Sequence, residues 1–193
     1  MPTILGANTE SAAYEISNSI YIDRANGGRL EKTFSSSATD RQKNTVSFWV
    51  KRGRLTTGSG TGDQVIFSNQ DNDQIAFDGS TDQLKFLSAG TMKVRTNRVF
   101  RDVSAWYHIV FAMDTTQGTG SNRIKFYVNG EQITSFETYT NVNQNINHSF
   151  FMDQDHDIGR SHSQANRHYD GYIAEFNGID GQQLDPTYFG ETN

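Results

Sequence analysis

Cysteine is absent from the 193 residues, so neither a disulfide nor a thiolate metal site is open to this chain. Secreted domains of this size commonly carry a bridge, and its lack favours assembly in a reducing cytoplasm. Proline occurs only twice, which leaves little to interrupt extended segments. No apolar run reaches membrane-span length, and the opening MPTILGANTESAAYEI has neither the basic flank nor the apolar block of a signal peptide. A soluble chain without a cleavable leader and without a membrane partner is the expectation. Basic runs are scarce too. Lys51-Arg52-Gly53-Arg54 is short, and the net charge of −5 argues against a nucleic-acid partner. Helical periodicity is missing except at Asp185–Phe189, where Asp as N-cap and Pro at the first position predict one turn.

What is present is alternation. Aromatics are abundant and the 17 glycines are spread as turn punctuation, which suits many short strands. The chain is organised around Arg101–Thr134, read as two strands joined by a polar loop. Tyr107, Ile109, Phe111 and Met113 line one pleat face of Trp106–Met113, and Trp106, His108, Val110 and Ala112 the other. A strand apolar on both sides is covered on both sides, so this one is placed mid-domain. In Arg123–Asn129, Ile124, Phe126 and Val128 alternate with Arg123, Lys125 and Tyr127. Asn129-Gly130 then supplies the two positive-φ residues of a type I′ turn. Further strands are predicted at Tyr14–Ile22, Leu30–Phe34, Thr45–Lys51, Gln64–Ser68, Gln74–Asp78, Gln83–Leu87, Met92–Thr96, Ser149–Met152, His156–Gly159 and His168–Asn177. Residues 135–147, rich in Asn, Gln and Thr, read as a long connection. About a dozen short strands without a repeat predict an all-β fold, an antiparallel two-sheet sandwich of jelly-roll type. Residues 1–13 form a polar arm ahead of this single domain, 14–193.

Charge is uneven. Residues 1–110 hold 13 Lys/Arg against 11 Asp/Glu, whereas residues 111–193 hold 4 against 11. The acidic half reads as solvated loops in preference to a partner surface. Catalytic patterns are missing. A retaining glucanase on such a fold needs two carboxylates at E-x-D spacing on one strand, and no E-x-D occurs. Glu175 lacks its partner, because Asn177 stands two residues on, and it reads as a structural carboxylate near a sheet edge. No G-x-S-x-G elbow is present either, so no enzyme is expected. Asp153, Asp155 and Asp157 imitate the start of a calcium loop. Ile158 takes the place of the required Gly, and Gln164 that of the closing Glu. These acids are the candidate ligands if calcium is bound, but solvated carboxylates are the favoured reading, so no cofactor is required. Four of the five histidines (148, 156, 162 and 168) fall in one stretch that would suit a transition metal or a pH response, and the favoured reading is imidazoles of solvated loops. Trp49 and Tyr127 stand on outward faces of their strands, free to stack on a sugar or a neighbouring subunit, or to be covered by the rest of the domain.

Four segments, in order, carry a resemblance: TVSFWVKRGRL (45–55), FRDVSAWYHIVFAMDTTQ (100–117), NRIKFYVNGEQITSF (122–136) and IGRS…YDGYIAEFNGIDGQQLDPTYFGE (158–191). Together they resemble the concanavalin A-like, laminin G-like jelly rolls encoded by tailed bacteriophages, marine ones especially, the "DG-x-x-L-x-P-x-x-FGE" ending being the phage-like part. The resemblance implies a non-enzymatic structural protein of the virion surface, a head decoration or fibre-like projection assembled in the host cytoplasm. Its implied partners are other virion proteins (major capsid, cement or tail proteins), host-surface glycans and, as an open alternative, further copies of itself. The alternative function is a lectin-like module for host glycans, with or without calcium. The likeness fades over residues 1–44. The arm, with Pro2, Ile4 and Leu5 at its tip, is therefore the expected docking element for a neighbouring protein.

Overall fold

The computed structural model describes residues 17–55, 62–164 and 166–190. Thirteen strands run through them in chain order: β1 (Ile20–Ile22), β2 (Leu30–Thr33), β3 (Lys43–Arg52), β4 (Gln64–Asn69), β5 (Gln74–Phe77), β6 (Gln83–Ser88), β7 (Thr91–Val99), β8 (Tyr107–Asp114), β9 (Ile124–Val128), β10 (Glu131–Gln132), β11 (Phe136–Tyr139), β12 (Asp155–Ile158) and β13 (Gly171–Asp180). A six-stranded sheet has the order β1-β13-β3-β8-β9-β10, and a seven-stranded sheet the order β11-β7-β6-β5-β4-β12-β2. Every pairing is antiparallel. This is the two-sheet jelly roll that the alternation predicts.

The hairpin Arg101–Thr134 does sit mid-sheet. β8 pairs with β3 on one side and β9 on the other, with Phe111 opposite both Val46 and Phe126. Asn129 and Gly130 carry φ of 51° and 82°, the left-handed pair that closes β9 onto β10. Inward residues of the two sheets meet in one aromatic core. Phe86 of the seven-stranded sheet lies 4.6 Å from Phe111 of the six-stranded one, ring centre to ring centre, and Phe67 lies 5.1 Å from Phe176.

Several expectations are corrected. Residues 136–139 form β11 instead of a connection, because the edge of β7 offers free backbone groups that a polar segment can pair with. Ser149–Met152 is a turn with Phe151 at φ 63°, which drives Phe150 and Phe151 together into the core. The last long strand is Gly171–Asp180, three residues later than alternation suggests. Of the strand expected at Tyr14–Ile22, β1 accounts for Ile20–Ile22, and its first three residues lie outside the described ones. The expected turn after Asp185 is present: Asp185 Oδ1 accepts from the Thr187 N–H at 2.9 Å, with Pro186 opening the helix.

The histidine stretch is the largest departure. His148, His156 and His168 are buried instead of solvated. Phenylalanines explain the first two: His148 packs 5.0 Å from Phe150, and His156 packs against Phe34, Phe67 and Phe151. Burial lowers the pKa of His148 and of His156.

Candidate functional site: the aromatic face of the six-stranded sheet

In β3, Phe48 and Val50 point into the core, so Ser47, Trp49 and Lys51 point outward. The same parity sends Trp49 and Tyr127 to the outer face of one sheet, as the sequence predicts, but does not bring them together. Trp49 stands opposite Ala174 and His108 and stacks on the imidazole at 4.9 Å and 19°. Tyr127 stands opposite Val110, half-buried, where burial and the nearby Asp185 raise its pKa. His108 is held by Ser47, with Oγ and Nε2 2.8 Å apart, and burial lowers its pKa despite the nearby Glu175.

The residues that turn Trp49 into part of a site come from elsewhere in the chain. Tyr21 of β1 stands opposite Tyr172 of β13, which stands opposite Lys51 of β3. Trp106, just ahead of β8, closes on the same row. Ring centres are 5.0 Å apart for Tyr21–Tyr172 and 6.4 Å for Tyr172–Trp106. Tyr21 and Tyr172 are 50% and 40% exposed, far above the core aromatics. The Tyr21 hydroxyl donates to Asp170 Oδ1 at 2.9 Å, which fixes the ring and raises its pKa. One row thus reads Tyr–Tyr–Lys–Trp across three strands and the residue that leads into β8, with the Trp49–His108 stack in the next.

The other end of this face is covered. The chain after β13 crosses it, and Thr45 Oγ1 donates to Gln182 O at 2.7 Å while accepting from the Leu184 N–H at 2.9 Å. Gln183 reaches the Asn122 carbonyl at 3.0 Å. The crossing segment shields the half of the face that carries Thr45 and Ala112, leaving the aromatic half to solvent. Glu175 lies at a bulge of β13 with φ 48°, exposed, and Asn177 Nδ2 donates to its carbonyl.

The three candidate metal ligands are dispersed in their contacts. Asp153 accepts from Ser37, and Asp155 from the Thr33 hydroxyl. Asp157, fully buried, faces Arg29, Arg160 and His162. Among the described residues, no three His, Asp or Glu side chains are gathered so as to hold a metal ion. Pro2, Ile4 and Leu5 lie outside the described residues. Sequence reasoning missed Tyr21, Tyr172 and Trp106. Their signal was parity, since each aromatic falls on the outward phase of its strand.

Two antiparallel sheets packed as a jelly roll define the class of fold. The chain belongs to the concanavalin A-like lectin/glucanases superfamily, whose laminin G-type member family matches residues 25–181. Among solved structures, a heptameric SAP-like pentraxin from Limulus polyphemus is similar, with 17% identity, 86% of this chain and 77% of that one covered, and a TM-score of 0.54. The binding domain of Paraclostridial Mosquitocidal Protein 1 is similar at 15% identity over 89% of this chain and 42% of that one, with a TM-score of 0.57. The binding domain of botulinum neurotoxin DC, solved with SialylT, is similar at 15% identity over 83% of this chain and 37% of that one, with a TM-score of 0.53. At such identities the likeness is one of fold. Among curated proteins, none matches the chain by sequence.

Proposed function

We propose that this protein is a non-catalytic glycan-binding module that engages sugar on the open half of its six-stranded sheet. The observation that carries this reading is the row Tyr21–Tyr172–Trp106, its two tyrosines exposed and its indole half-buried, with the stack of half-buried Trp49 on His108 beside it. Pyranose rings present apolar C–H faces, and aromatic rings with polar tips offer a large contact surface that is costly to leave in water. Lys51 within the row supplies a donor for ring substituents. Fold likeness to a toxin binding domain solved with SialylT is consistent with this use. Glu175 has no second acid two residues on, so the paired-carboxylate chemistry of retaining glucanases has no counterpart on β13.

The test is titration of the purified protein against a panel of soluble polysaccharides and host oligosaccharides, followed by tryptophan fluorescence and calorimetry. Trp106→Ala and Trp49→Ala are expected to weaken binding at least tenfold while unfolding stays cooperative. Absence of binding across the panel, or binding indifferent to both substitutions, would overturn the reading.

A second reading, from the resemblance of the ending DGQQLDPTYFGE, makes the same module a part of a phage virion surface, seated on capsid, cement or tail proteins after assembly in the host cytoplasm. In that setting, glycan binding on the open face would serve adhesion to the cell. Stoichiometric co-purification with particles is the expected outcome, and absence from washed particles removes this reading without touching the first.

A further inference from the structure

The slot between the two sheets, on the side where β2 and β13 form the walls, has a chemistry the glycan face lacks. It holds about 480 Å³, and Leu30, Phe34, Phe67, Phe151, Ile158 and Phe176 line it. Such a volume with apolar walls lies in the range of small-molecule sites. β1 pairs only with residues 171–173 of β13, so among the described residues no strand closes the sandwich beside Phe176, Gly178 and Asp180.

One residue of the wall breaks the apolar pattern. In β2, Leu30 and Lys32 stand opposite Ile158 and His156 of β12 and share their face. That is the inner face, because the His156 ring packs on Phe34 at 5.1 Å and on Phe67 at 5.7 Å. Lys32 therefore sits between Leu30 and Phe34 at a position where the alternation of a sandwich calls for an apolar side chain.

The charges around the mouth are otherwise satisfied. Glu31 is ion-paired to Arg29 at 2.9 Å. Asp180 accepts from the Thr39 N–H at 2.6 Å and from its hydroxyl at 2.7 Å. The two ring nitrogens of His156 are engaged by the Phe151 N–H at 3.0 Å and by the Gln154 carbonyl at 2.9 Å. Lys32 is the one charged group of the lining without an ion-pair or hydrogen-bond partner among the described residues. Lys32 stays exposed, as all of β2 is, so its ammonium lies at the mouth of the slot; a lysine on the inner side of an edge strand also discourages edge-to-edge pairing, but that purpose needs no cavity behind it.

We propose that the slot binds a single-chain amphipathic carboxylate, its hydrocarbon body between Phe34, Phe67, Phe151 and Phe176 and its carboxylate on the Lys32 ammonium. The apolar walls offer no unengaged polar partner deeper in, so the ligand's only polar group must lie at the mouth, where Lys32 is. A neutral or cationic amphiphile of the same length lacks that pairing. This site is on the opposite side of the six-stranded sheet from the aromatic row, and it does not rest on glycan binding.

The test uses the full-length protein with dodecanoate and dodecyltrimethylammonium below their micelle concentrations, dodecanol below its solubility limit and, as a separate arm, anionic phospholipid vesicles, read by calorimetry and displacement of an environment-sensitive fluorescent fatty acid. Dodecanoate is expected to bind at least tenfold more tightly than the other two. Lys32→Glu is expected to remove that preference, and Lys32→Met to equalise dodecanoate and dodecanol while keeping both bound. Phe176→Asp in the slot wall is expected to abolish binding; its fold is checked by near-ultraviolet circular dichroism, and Lys32→Glu carries the test if that variant unfolds. No binding of dodecanoate, equal binding of all three amphiphiles, a Lys32→Glu protein indistinguishable from wild type, or association only with anionic phospholipid vesicles would each overturn the proposal.

Discussion

The outer faces of the two sheets follow the same alternation and end in opposite states. On the six-stranded sheet, outward positions carry aromatics that remain partly in water: Tyr21, Tyr172, Trp106 and Trp49. On the seven-stranded sheet, outward positions carry charge, and the centre of that charge, Lys85 with Asp63 and Asp78, is buried. Lys85 stands opposite Ala76 and Arg95, and its ammonium lies 2.6 Å from Asp63 and 2.9 Å from Asp78. Arg95 bridges Asp78 and Glu137, and Arg167 reaches Asp63 at 3.0 Å. Burial alone would push the Asp78 carboxyl up, but hydrogen bonds from Ser80 and Lys85 outweigh it and hold the group well below the usual carboxylate range. Residues 160–164 cross this face, with Ser68 Oγ donating to the Arg160 carbonyl and Gln74 reaching Ser161. A polar face that is covered must complete its own pairing, whereas an apolar face left open is available to something else. The difference separates scaffold from site.

Removing the central cation should break the covered face first and hardest. Lys85→Ala leaves Asp63 and Asp78 facing each other in a site nearly closed to water, and the expected loss is about 3–5 kcal/mol. That matches the cost of a core truncation such as Phe126→Ala, also about 3–5 kcal/mol. Lys85→Met combined with Asp63→Asn should recover part of the loss, because the charge left uncompensated is then smaller. Denaturant midpoints measure all three. A Lys85→Ala protein as stable as wild type would mean that the ladder is decorative and the two faces are equivalent.

Part of this was legible in the chain. The hairpin of β8 and β9 needed only local alternation and the Asn129-Gly130 pair, both of which act over a few residues. Parity alone sent Trp49 and Tyr127 outward. Arg52 shows where local reasoning stops. Within Lys51-Arg52-Gly53-Arg54 nothing local distinguishes it from the other basic residues of a short run, yet it is fully buried, 2.9 Å from Asp82 and 4.7 Å over the ring of Phe77. Its partners lie about thirty residues downstream and come to it only when the sheets close. Tyr21 and Tyr172 are separated by most of the chain and become neighbours through one strand pairing. The histidines were misread for a related reason: composition marked their loops as polar, but the adjacent phenylalanines decided where the backbone went.

Acid should separate the interior from both faces by a smaller margin. His108, His148 and His156 all have pKa values lowered from 6.5, in each case chiefly by burial. Asp73 lies against His148 and is among the charges near His156, Glu175 is near His108, and both carboxylates oppose the shift without reversing it. In the folded protein these rings stay neutral at a pH where the unfolded chain takes up protons. Stability is therefore fully present above about pH 6.5 and is lost as pH falls below it, with each ring contributing a slope of up to about 1.4 kcal/mol per pH unit. Asp78, Asp114 and Asp180, with lowered carboxyl pKa values, add their own loss only below about pH 4. Unfolding free energies between pH 7.5 and 4.5 should fall, and His148→Gln should flatten the curve. A profile level across that window would show that the rings are not kept neutral.

The open face should yield least in stability. Trp49 is half-buried and stacks on His108, so Trp49→Ala is expected to cost about 1 kcal/mol, the scale of one aromatic pair. Val110→Ala, one row away, is the contrasting case. Val110 is fully buried between Ser47 and Tyr127 on the same outer side, so its truncation should cost more than that of the much larger tryptophan. The inversion of the usual size order is what marks the face as open at Trp49 and closed at Val110. Thermal midpoints of the two variants at pH 7.5 decide it: if Trp49→Ala proves the more damaging, the indole is a structural element of the sheet, and the surface for a ligand must be sought farther along the row, at Trp106, Tyr172 and Tyr21.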